Sequence, residues 1–350
     1  MAYQLIRGIL TCNDSVDILA ILLNDGRLAH KLQKIGIEVK IIDENSNSLF
    51  STIRSIRRLL GQFRPNIVHT HRYKESILAH WSIRGLEKPR LIATQHGMPE
   101  NYKGISNLKH LAVLKYNFCI LKRHFEKIVA VSNDIGNYFL RNLGFQGEKV
   151  HVIHNGIEIP NNSIQRNSRD SFVIGSCGRL FPVKDYPLMI KVAKECTSDK
   201  NNIRFELAGD GPEMRKLRVL VERFGLNGRF TFRGHLDNME EFYRGLDLFI
   251  NTSIHEGIPM SVLEAMSYGL PIVAPRVGGL REIIDHGVDG LLIESRYAKA
   301  FAEKCLLLAK DERLWQKMSK AARQKVINHF SVNHMAEEYY NLYLEVLDNG

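Results

Sequence analysis

The sequence predicts an α/β protein made of two doubly wound, parallel-sheet domains, and three observations predict it. The chain has 350 residues, more than one hydrophobic core usually carries. Short apolar runs alternate with amphipathic helix-like stretches from end to end, the pattern of parallel strands joined by crossover helices. Between two such series, Ile157 to Ser171 (IEIPNNSIQRNSRDS) is polar, contains proline and lacks periodicity, so it reads as a linker. The expected divisions are a first domain at 1–157, a linker at 158–170, a second domain at 171–330 and a terminal helix at 331–350.

In chain order, AYQLIRGIL reads as a helix. The strands of the first half are VDILAILL from Val16, IEVKII from Ile37, NIVHTH from Asn66, RLIATQH from Arg90, KIVAVS from Lys127 and VHVIHN from Val150. From Asn107 to Lys127, Leu111, Leu114, Phe118, Leu121 and Phe125 recur at steps of three and four with basic residues on other faces, which predicts an amphipathic basic helix. The second half reads FVIGSCG from Phe172, IRFELAG from Ile203, RFTFRG from Arg229, LDLFIN from Leu246, PIVAP from Pro271 and GLLIE from Gly290 as strands. In SVNHMAEEYYNLYLEVL, Met335, Tyr339, Leu342 and Val346 form one helical stripe.

Composition narrows the function. At 44% hydrophobic and 25% charged residues the chain is globular, not collagen-like, disordered or a disulfide scaffold. No apolar run approaches the ~20 residues of a membrane span. The start MAYQLIRGILTCNDS shows no basic region followed by an apolar core, so an export signal is not expected. Five scattered cysteines without a CxxC predict reduced thiols, a cytoplasmic location and no structural zinc. The net charge of +10 is uneven: residues 1–160 hold 22 Lys and Arg against 13 Asp and Glu, and the remainder 26 against 25. A basic first half fits an anionic partner: nucleic acid, a phosphorylated substrate, or an anionic membrane surface such as the inner face of the cell membrane. Nucleic acid is not expected, since no aromatic-rich basic platform accompanies the charge.

Two stretches carry chemistry. In HEGIPMSVLEAMSYGLPIVAPRVGG, Glu256 and Gly257 follow a strand, and Pro259 lies where a helix would begin. Free amides of Met260, Ser261 and Val262 would then form an anion site aided by the helix dipole. Glu264 lies eight residues beyond Glu256, about 12 Å along a fully helical path, which suits two ends of a long ligand. In GSCGRLFPVKD, Gly178 ends a strand and Arg179 and Lys184 follow, a set that would neutralise a diphosphate. Gly209 opens the tight turn AGDGP after another strand. GxGxxG, a Walker loop and a DxD pair are absent, which disfavours nicotinamide chemistry and a metal-bridged diphosphate. His69 and His71 form an HxH without a third ligand at metal spacing, so no metal is expected there.

GRLFPVKD, LAGDGP and FRGHLDNMEEFYRGLDLFINTSIHEGIPMSVLEAMSYGLPIVAPRVGGLREII, in that order, resemble the retaining glycosyltransferases of family 4, which have the GT-B fold. The first half resembles them more loosely through NIVHTHRYKE, IATQHG, IVAVSNDI and VIHNGIE. The resemblance implies two Rossmann-like domains facing a cleft: an acceptor-side first domain, a nucleotide-sugar-binding second domain, and a last helix crossing back to the first. It assigns Glu256 to the donor sugar, Glu264 to the ribose, Arg179 and Lys184 to the diphosphate, and Gly234 and His235 to the surroundings of the nucleobase. It makes His96 a catalytic candidate touching the sugar, with His69 and His71 on the acceptor side. One departure is that the family's first strand and glycine-rich loop are missing ahead of AYQLIRGIL. The implied activity is sugar transfer from a nucleotide diphosphate sugar to an acceptor hydroxyl on a glycan or lipid-linked glycan, without cofactor or metal. A truncated or degenerate nucleotide-sugar-binding protein and a GT-B epimerase are the alternatives.

Overall fold

The computed structural model describes residues 1–13, 15–87, 89–97, 107–164, 171–197 and 202–348; residues 165–170 of the predicted linker lie outside them. Each run read as a strand contains one: β1 (Leu19–Leu22), β2 (Glu38–Ile41), β3 (Ile67–Thr70), β4 (Arg90–Gln95), β5 (Lys127–Ala130), β6 (Val150–Val152), β7 (Phe172–Cys177), β8 (Ile203–Ala208), β9 (Phe230–Gly234), β10 (Leu248–Ile250), β11 (Ile272–Pro275) and β12 (Gly290–Ile293). The chain divides into two compact units, Met1–Gly156 with Val332–Gly350, and Ile157–Ser331.

In the first unit β3, β4, β5 and β6 form a parallel sheet in sequence order. Alternation sends successive side chains of β4 to opposite faces. Leu91 and Ala93 pack against Ile120, Leu121 and Phe125, whereas Ile92 packs against Leu5 and Ile9 of the helix Ala2–Cys12. The helix Val332–Asp348 buries Met335, Tyr339, Leu342 and Val346 in that second cluster. It approaches Ala2–Cys12 so closely that a Cβ at Gly8 would lie 2.7 Å from the Ala336 methyl.

Among the described residues β1 pairs in parallel with β2 in a two-stranded sheet and lies outside the four-stranded one. Side-chain packing joins the two sheets instead: Leu23 and Ile21 share a cluster with Val68 of β3 and with Ile56 and Leu60 of the helix Leu49–Phe63. The basic helix is also shorter than expected, Asn107–His124, with Lys127 already in β5. Its predicted stripe is graded: Leu121 and Phe125 are buried, Leu114 and Phe118 half-buried, and Leu111 exposed.

The second unit is a six-stranded parallel sheet of order β12-β11-β10-β7-β8-β9. β7, β10, β11 and β12 are apolar on both faces, as strands covered by helices on each side require, whereas β8 and β9 alternate and expose Arg204, Thr231 and Arg233. The strand order reverses between β7 and β10, the topological switch point at which open α/β sheets bind ligands. The segment after Gly156 packs onto this unit: Ile157 bonds Phe330, and the Ile164 amide donates to the Tyr268 carbonyl.

Candidate active site

Adjacency in the second sheet brings the predicted residues together. The loops after β7 and β10 emerge side by side at the switch point, and there Lys184 Nζ lies 2.5 Å from Glu256 Oε1. Glu256 Oε1 also accepts from Ser253 Oγ at 2.6 Å and Asn251 Nδ2 at 3.4 Å. These are charge-assisted bonds in a half-buried setting, so the carboxylate is fixed in place. Arg179 is exposed, with its guanidinium 5.2 Å from the Phe181 ring centre, and forms no ion pair among the described residues.

Glycines let these loops run close. A Cβ at Gly209, at φ +129°, would overlap the Gly178 carbonyl, and the Gly209 amide donates to the Gly234 carbonyl at 2.7 Å. Gly178, Gly209 and Gly234 therefore line the carboxyl ends of three neighbouring strands, β7, β8 and β9. Next to them, Gly278 at φ +48° and Gly279 press against the carbonyls of Glu256 and Gly257. His235 is exposed at the end of this row, 3.6 Å from Asp237.

The helix Met260–Ser267 starts after Pro259, as its missing N–H allows. Among the described residues the Met260 and Ser261 amides have no backbone acceptor, but the Val262 amide donates to the Pro259 carbonyl at 3.1 Å, which corrects its reading as a free amide. The first turn closes tightly and consumes that donor. The path from Glu256 to Glu264 is likewise loop before it is helix, so the 12 Å helical spacing does not hold.

Glu264 Oε2 accepts from the Tyr243 hydroxyl at 2.6 Å. Burial raises the Glu264 carboxyl above its ordinary range, and the Tyr243 bond counters this. Tyr243 also reaches Cys177 Sγ at 3.2 Å, a thiol that burial pushes up to about 12 and that feels the charges of both Glu264 and Lys184. Cys177 at the end of β7 thus sits among the groups the sequence singled out. Tyr243, Cys177, Asn251, Ser253 and Gly278 were not predicted. Asn251 and Ser253 lie within five residues of Glu256, which was a usable signal; Tyr243 lies 21 residues before Glu264 and gave none.

In the first unit, His96 Nε2 lies 3.2 Å from His71 Nδ1, and the two rings stack. The His69 ring is 4.4 Å from that of His71, with one nitrogen on Tyr343 and the other on Thr94. Both His69 nitrogens are thus engaged, which leaves it no lone pair for a metal. Burial lowers His69 to about 3 and His96 to about 4 and holds His71 well below its usual value, so the cluster is neutral.

Residues 159–325 match the family described as Glycosyl transferases group 1, and residues 1–159 match Glycosyltransferase Family 4. The chain is 26% identical over 310 residues to the UDP-Gal:alpha-D-GlcNAc-diphosphoundecaprenol alpha-1,3-galactosyltransferase of Escherichia coli, covering 84% of this chain and 79% of that protein. It resembles the crystal structure of Anabaena HepE in complex with UDP with a TM-score of 0.85 at 20% identity, over 98% of this chain and 96% of that one. A glycosyltransferase from Rickettsia africae ESF-5 superposes with a TM-score of 0.83 at 21% identity, over 100% and 95%. The α/β architecture is that of the GT-B fold, and the chain belongs to the family 4, group 1 glycosyltransferases.

Proposed function

We propose that this chain transfers a hexose-type sugar from a nucleoside diphosphate sugar to an acceptor hydroxyl with retention of configuration, in bacterial cell-surface polysaccharide synthesis. The observation that carries the reading is the meeting of Lys184 and Glu256 at the switch point, beside a helix amino terminus. A leaving diphosphate gains negative charge in the transition state. Lys184, Arg179 and the amides of Met260 and Ser261 would stabilise it by preorganised electrostatics, in the place where DxD enzymes use a metal. Glu256 would then hold the sugar hydroxyls and Glu264 the ribose, with Gly178, Gly209, Gly234, Gly257 and His235 framing the nucleotide. A phosphate oxygen would take the acceptor proton on the face the leaving group quits, so Glu256 positions and does not attack. His96 is assigned to the donor sugar as the catalytic candidate of the first unit.

The Escherichia coli relative's name specifies a sugar on diphosphoundecaprenol, which supports a lipid-linked acceptor here. No helix among the described residues is long and apolar enough to cross a membrane. Peripheral attachment to an anionic surface is supported by the helix Asn107–His124, which exposes Leu111, Val113 and Tyr116 beside Lys115, Lys122 and Arg123.

The test is nucleotide release from a panel of UDP- and GDP-sugars with lipid-linked acceptors. Lys184→Ala is expected to lower turnover by about a hundredfold or more, and unchanged turnover contradicts the assignment. Binding without turnover across the panel would identify a degenerate binder. Sugar isomerisation without acceptor would identify an epimerase.

A further inference from the structure

Arg296 follows β12 and reaches into the ground under both donor loops. Its Nη1 donates to the Ser253 carbonyl at 3.0 Å, and its Nη2 donates to the Thr252 carbonyl at 2.8 Å and to Asp185 Oδ2 at 2.5 Å. Each partner leads to a donor group in one step. Asp185 adjoins Lys184 and holds a left-handed backbone at φ +45°, unusual for a residue other than glycine. Thr252 Oγ1 donates to the Lys184 carbonyl at 3.0 Å, and Ser253 Oγ donates to Glu256 at 2.6 Å. The Ile254 amide closes the same seam on the Val183 carbonyl at 2.8 Å.

We infer that Arg296 is a positioning residue that locks the Lys184 loop to the Glu256 loop and so sets the distance between the diphosphate cation and the sugar-binding carboxylate. The inference rests on the transferase reading. A planar fork sets two nitrogens in fixed directions, Nη1 on one loop carbonyl and Nη2 on the other and on Asp185, whereas an ammonium gathers its three donors on a single atom and loses that spacing. Arg296 itself need touch no substrate, since its bonds are spent within the protein.

The experiment titrates UDP and GDP into the full chain by calorimetry. The nucleotide that the wild type binds is then compared in Arg296→Lys and Arg296→Ala, with circular dichroism to confirm folding. Arg296→Lys is expected to weaken binding about tenfold despite keeping the charge, and millimolar guanidinium is expected to restore Arg296→Ala. A merely structural role lowers the melting point and leaves the affinity of the folded protein unchanged; that result overturns the inference. Should Arg296→Lys not fold, Asp185→Asn keeps both carbonyl bonds and is expected to weaken binding about threefold, and equal affinity there overturns it as well. If the wild type binds neither nucleotide, the transferase reading falls and takes this inference with it. If wild type binds and Lys184→Ala does not, while both loop variants bind normally, this inference alone falls.

Discussion

The Tyr243 hydroxyl donates to Oε2 of Glu264, the carboxylate proposed to hold the ribose. Glu264 titrates high because it is buried, and the tyrosine hydroxyl is the neighbour that counters the shift. Tyr243→Phe removes only that hydroxyl, so the carboxyl should rise further and the acid limb of the donor kcat/KM profile should move to higher pH. An unmoved limb would show that Glu264 does not act as an ionised acceptor. His69 gives the opposite kind of dependence. Folded, it titrates at about 3, whereas an unfolded histidine does so near 6.5. The unfolded chain therefore binds the extra proton between these values, so stability is complete above about pH 6.5 and is lost as pH falls, by at most about 1.4 kcal/mol per pH unit. Urea unfolding at pH 7 and pH 5 should show the loss, and His69→Gln should lessen it by the share of one histidine, His71 and His96 keeping theirs. None of this was legible in sequence. HxH was visible, but that both nitrogens of His69 are taken depends on Tyr343, 274 residues away.

At the scale of elements, most strands were legible because they are short apolar runs bounded by turn residues, the pattern of parallel strands buried on both faces, while β2, β8 and β9 alternate apolar with exposed residues. The contacts between loops were not, since they follow from which strands lie side by side. Gly278 and Glu256 touch because β11 neighbours β10, and no local spacing states that. The glycines there are testable. Gly209→Ala places a Cβ on the Gly178 carbonyl in a left-handed conformation, which should cost about 2–4 kcal/mol and weaken nucleotide binding. Gly278→Ala should displace the Glu256 backbone and reduce donor turnover more than it lowers the melting point. The separate β1–β2 sheet has its own signature. β1 and β3 are half-exposed where β4 and β5 are buried, so deuterium exchange should label β1 and β3 well before the interior pair. Equal protection would mean that the two sheets are joined.

For the whole molecule, the order of elements was legible and their allocation only partly so. A helix with Met335, Tyr339, Leu342 and Val346 in one stripe announces packing without naming its partner. The structure places all four in a cluster with Leu5, Ile9, Ile92 and Val129. The first unit is thus built from the two ends of the chain with the second unit intervening. A chain ending at Ser331 should keep a protease-resistant core from Ile157 onward while its first 156 residues are digested, and resistance of both parts would contradict the role given to the last helix.

That discontinuity reaches into biosynthesis. On the ribosome, residues 1–156 emerge well before the helix Val332–Asp348 that shares their unit, whereas residues 157–331 need nothing made after them. The nascent protein would therefore mature from its centre outward. Residues 1–156, with Ile92 and Val129 still uncovered, would be the stretch that chaperones must shield longest.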